Sequence, residues 1–97
     1  MHIPEKIKFL GHEYSVEQVC SNQLDGANGE SWYKLCKIRI DKDIPQTRKE
    51  SVLLHEIVEC IDAHFDLKLN HTAIECLEEA LYLVLKENKL HFDEQGE

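Results

Sequence analysis

The sequence predicts an α+β fold, a small antiparallel sheet of three or so strands followed by two long antiparallel helices. Three observations predict it. In the front half, apolar and polar residues alternate with the two-residue period of a strand, around Ile7, Val16 and Ile38. In the back half the period turns helical, with Leu53, Leu54, Ile57, Val58, Ile61 and Phe65 sharing one broad face at about 100° per residue. A second apolar face, Ala73, Ile74, Leu77, Leu81, Val84 and Leu85, follows a short break, which makes the two helices antiparallel neighbours.

The first element expected is a hairpin over residues 6–19. Lys6-Ile7-Lys8-Phe9 alternates, Gly11 supplies the turn, and Glu13-Tyr14-Ser15-Val16 resumes the extended pattern. Residues 21–31 read as a loop, with Asp25-Gly26 and Asn28-Gly29 as turn dipeptides. Residues 32–41 read as one strand, Trp32, Cys36, Ile38 and Ile40 on one side and Tyr33, Lys37 and Arg39 on the other. The sheet part therefore spans 6–41.

After Pro45, Thr47 with Glu50 three residues later forms a capping-box pattern, so the first helix is expected over 46–65. Residues 66–70 connect it to a second helix over 71–88, and the polar, acidic stretch 91–97 is expected to fray. Ninety-seven residues suit one domain, 1–97, with a modest core.

Composition narrows the function. Apolar residues make up 42% and charged residues 31%, which is globular rather than disordered. The net charge of -8 repels a phosphate backbone and an anionic bilayer, so neither nucleic acid nor membrane is an expected partner. A basic ligand or a metal cation suits it better. No apolar run approaches the roughly 20 residues that span a bilayer. The start, Met1-His2-Ile3-Pro4-Glu5-Lys6, lacks a secretion signal, and a cytoplasmic location is the expectation. Cys20, Cys36, Cys60 and Cys76 include no closely spaced pair and read as small, partly buried hydrophobes.

The chemistry concentrates on the two polar helix stripes. Opposite the apolar face of the first helix lie Ser51, His55, Glu59 and Asp62. His55 and Glu59 are one turn apart, so their side chains can converge on one ion, and Glu56 stands at the stripe's margin. On the second helix His71, Glu75, Glu78 and Tyr82 form a matching stripe. With the helices antiparallel, Glu75 and Glu78 come within reach of His55 and Glu59, and His71 sits nearer the turn.

His-Glu-x-x-His on a helix places two imidazoles on zinc while the glutamate takes a proton from water. Here the motif is His55-Glu56-Ile57-Val58-Glu59, with a carboxylate in the fifth position. A carboxylate binds zinc but makes the metal a weaker Lewis acid. Residues 51–62 and 71–88 resemble the small zincin-like proteins of phages and prophages, relatives of the minimal gluzincins and the ImmA/IrrE-type metallopeptidases. That resemblance implies a zincin-like arrangement with zinc as cofactor and a protein or peptide as substrate. It further implies His55, Glu59 and Glu75 as metal ligands, with Glu56 as general base. His71 offers the second imidazole that position 59 lacks. Along a zincin sheet edge, Trp32 and Tyr33 would line the substrate cleft, and a place as a strand's ordinary core aromatics explains them equally well.

Two other readings stand beside the peptidase. One is a degenerate relative that keeps the fold and binds a protein partner. The other is a carboxylate-rich iron or manganese site that draws on His55, Glu56, Glu59, Glu75 and Glu78, as in half of a four-helix di-iron bundle.

Overall fold

Lys6–Phe9 (β1) and His12–Val19 (β2) form the expected hairpin in the structure, a computed structural model that describes residues 2–88. The expected frayed stretch 91–97 lies outside the described residues. Leu10 and Gly11, at φ 56° and 78°, make the two-residue turn whose twist suits a hairpin.

The rest of the sheet departs from expectation. It has four strands in the order β1-β2-β4-β3, with Gly29–Trp32 as β3 and Lys37–Asp41 as β4. The β1–β2 and β3–β4 pairs are antiparallel, and β2–β4 is parallel. The sheet is therefore mixed, not antiparallel with about three strands. Residues 32–41 are not one strand because Tyr33–Leu35 closes into a 3-10 turn and Cys36 turns left-handed at φ 53°. The chain reverses there and pairs Ser31 with Ile38 and Glu30 with Arg39. Part of the expected loop thus becomes β3, which forms an edge of the sheet.

Two helices complete an α+β layout, Gln46–Phe65 (α1) and His71–Glu87 (α2). Tyr14, Val16, Ile38 and Ile40 from the sheet pack with Leu53 and Cys60 of α1 as the core. The capping box does not form: Pro45 occupies the cap position without a side-chain bond. Glu50 is instead 1% exposed and accepts a 2.7 Å hydrogen bond from Tyr82 on α2. At the other end Asp62 closes the connection, its Oδ1 accepting from the Leu69 amide at 2.9 Å. Asn70 then caps α2 by accepting from the Ala73 amide.

The second helix turns Glu78 and Tyr82 of its polar stripe toward α1, while His71 and Glu75 stay exposed. Tyr82 reaches Glu50, and Glu78 reaches His55. Of the apolar face expected on α2, Ile74 is buried, while Leu77, Leu81 and Val84 are 45%, 44% and 51% exposed. The reason lies in α1. Its apolar side is already covered by the sheet, so α2 meets a surface of carboxylates and an imidazole and needs polar partners for them. Among the described residues no helix is long and apolar enough to cross a membrane.

Candidate metal centre

One turn of α1 carries the site. The i, i+4 spacing puts His55 Nε2 2.8 Å from Glu59 Oε2. On the other side of the ring, Nδ1 stands 3.2 Å from Glu78 Oε1 of α2. With a carboxylate at each nitrogen, the imidazole is set up to donate from both. Burial alone would push the His55 pKa down, but Glu78, Glu59 and Glu56 outweigh it and hold the ring above its usual value.

Glu56 sits differently from the marginal position its helical angle suggested. It turns under β3, is 4% exposed, and leaves Oε1 without a hydrogen-bond partner among the described residues. Burial pushes its carboxyl up to about 7, and the Glu59 charge adds to the effect. The Ser31 hydroxyl and His55 pull it partly back. Gly29 makes this arrangement possible. A Cβ there would lie 2.5 Å from Val52 Cγ1 and 3.4 Å from Glu56 Oε2, so only a bare backbone lets β3 approach α1 this closely.

An open cleft of about 500 Å³ lies over these residues. Its walls come from residues 27–31, from α1 and from Glu75 and Glu78 of α2. Among the described residues, His55, Glu56 and Glu59 are the ones that place one donor atom each within 4.8 Å of one another. The other two expected ligands stand apart from that group. Glu75 lines the same cleft, but its carboxylate pairs with its own helix neighbour His71, Nε2 to Oε2 at 3.0 Å. The His71 ring lies 5.7 Å from that of His55, edge to face.

Glu78 is the residue whose role sequence reasoning left open. Its place on the second stripe was legible, but its choice of Nδ1 was not. Such a carboxylate behind a histidine fixes which ring nitrogen is free to ligate. Gly29 reads in the sequence as part of a turn dipeptide rather than a strand and no motif marks Ser31, and the close strand–helix approach emerges only with β3 in place. Tyr33 hydrogen-bonds His64 at 2.8 Å, outside the residues that line the cleft.

The residues fit a divalent cation on two grounds. Glu56 Oε1 is a buried carboxylate oxygen with no hydrogen bond, an arrangement costly unless something positive or a proton meets it. The His55 imidazole with the Glu59 carboxylate, and Glu75 lining the same cleft, also offers donor types that suit zinc, and equally iron or manganese. Comparison with family models, curated proteins and solved structures finds no match to this chain.

Proposed function

We propose that the chain is a small metal-dependent peptidase of zincin-like design, of the kind found in phages, with zinc as its cofactor. His55 and Glu59 would hold the ion, and Glu75, in the same cleft, would complete the set on leaving its contact with His71. The observation that carries this reading is Glu56, a buried carboxylate with one unpartnered oxygen beside a His–Glu pair.

When bound, the ion supplies Lewis acidity that lowers the pKa of water at the site. The rest falls to the chain's own groups. Glu78 would hold His55 through Nδ1 and leave Nε2, beside Glu59, to the ion. A pKa near neutrality suits Glu56 to accept a proton from water and return it to a leaving amine. As an edge strand in the cleft wall, β3 supports a peptide ligand, since its outer backbone groups are available to an extended chain.

A second reading, a protein-binding module without turnover, draws on the exposed Leu77, Leu81 and Val84 of α2. Hydrolysis of a fluorogenic peptide mixture by the zinc-loaded chain separates the two. The peptidase reading expects cleavage in the parent and a loss of about 10²-fold or more in Glu56→Gln with zinc retained. Zinc bound with no cleavage of any peptide leaves the binding module.

A further inference from the structure

Glu30, Glu56, Glu59, Glu75 and Glu78 line the cleft, Glu30 paired with Arg39, and Arg48 is the one lysine or arginine among the described residues that line it. Gly29 lies against Val52 and Glu56, and Ser31 acts on Glu56 and Cys60 one turn later, so β3 and α1 run in the same direction. Asn28, which precedes Gly29, therefore lies toward the first turns of α1, where Arg48 and Ser51 line the cleft. Glu59 lies further along α1, past His55, and Glu75 and Glu78 of α2 line the cleft with it. Arg48 is exposed and has no ion pair among the described residues, so its guanidinium is available to a ligand in the cleft.

Spacing gives Arg48 a defined relation to the centre. It precedes His55 by two helical turns on nearly the same line of α1, about 10 Å along the axis. Side chains lean toward the helix N-terminus, which lengthens the separation slightly. An extended peptide advances about 3.3 Å per residue, so that distance corresponds to roughly three to four residues.

We propose that Arg48 anchors a carboxylate of the peptide ligand and so sets which bond lies at the His55–Glu59 centre. The carboxylate is either the C-terminus or an acidic side chain, some three to four residues from the reacting bond. The proposal rests on the reading of the cleft as a peptide site. Arg48 is a specificity residue here, since it touches the ligand away from the reacting atoms. Guanidinium suits the role because its paired donors match a carboxylate.

Titration of the isotope-labelled full chain, followed by NMR with and without zinc, tests this. The probes are an extended alanine–serine peptide ending in a free carboxylate, the same peptide amidated, and the amidated peptide ending in glutamate. The free-carboxylate peptide is expected to bind about tenfold more tightly than the amide, the scale of one charge-assisted pair. That ratio should fall to about one in Arg48→Gln and recover in part in Arg48→Lys. Rescue of the amide by the terminal glutamate assigns the site to side-chain carboxylates as well, and no rescue assigns it to chain ends. Equal binding of carboxylate and amide, no binding of any peptide, or an unchanged ratio in Arg48→Gln overturns the proposal. A carboxylate preference in protein that takes up no zinc removes the metal reading and leaves this one standing.

Discussion

Glu78 Oε1 lies 3.2 Å from Nδ1 of His55, across the ring from Glu59, so carboxylates from both helices hold one imidazole. The second helix thereby holds the imidazole through Nδ1 while Nε2 lies beside Glu59. Removing such a group behind a ligating histidine costs about 10- to 100-fold in metal affinity. Glu78→Ala is expected to weaken zinc binding by that factor in competition with a chelating dye. Equal affinity in parent and variant removes α2 from the centre.

Tyr82 joins the same helices further along. Its hydroxyl donates to Glu50 Oε1 at 2.7 Å, and burial beside that carboxylate pushes the phenol up to about 12, so the bond persists across ordinary pH. Burial would raise the Glu50 pKa, but the hydrogen bonds from Tyr82 and Gln46 help hold it below its usual value. Tyr82→Phe should cost about 1–3 kcal/mol in urea unfolding, because it strips a donor from a buried acceptor. A change smaller than a few tenths would show that the contact contributes nothing.

The pH dependence of the metal-free chain follows from Glu56. Its folded value, about 7, lies above the ordinary 4.5, so the fold favours the neutral acid. Stability from this group is full below 4.5 and is lost as pH rises through 7. Glutamine is neutral throughout. Glu56→Gln should therefore gain on the parent between pH 5 and 8, by at most about 3 kcal/mol. His55, also raised, loses its contribution in the same direction, and Glu56→Gln trims that contribution because Glu56 is one of the charges that raise it. A stability difference that stays flat with pH would falsify the buried-acid assignment.

Gly29→Ala tests how closely β3 docks. The new methyl would meet Val52 Cγ1 at 2.5 Å, too close for any real contact, so the strand or Val52 must move. Overpacking of this kind costs about 1–3 kcal/mol. Trimming the neighbour in Gly29→Ala with Val52→Ala should return part of the loss, a coupling that a double-mutant cycle reads. Simple additivity of the two changes contradicts the contact.

Sequence periodicity carried the helices well and the sheet less so. Apolar residues at Leu53, Leu54 and Val58 placed α1 on the core, where all three are buried. On α2 the same period found the faces but not which one packs, because that depends on what α1 presents, and it presents Glu50 and His55. The turn over Tyr33–Leu35 carries neither glycine nor proline, and its left-handed residue is Cys36, so nothing local marked the reversal that creates β3. Glu50 matched a cap signature and instead took a buried partner 32 positions away in sequence, a long-range contact no local pattern encodes. In the centre, the spacing of His55 and Glu59 was legible. The burial of Glu56 was not, since it depends on Gly29 in a strand the sequence reading lacked.

The metal content of the full chain, purified without added metal, bears most directly on the centre. About one zinc per chain is expected, retained in Glu56→Gln and lost in His55→Ala and Glu59→Ala, with all four proteins folded by circular dichroism. No bound metal in the parent, or the same content in Glu59→Ala, would contradict the assignment of His55 and Glu59 as its ligands.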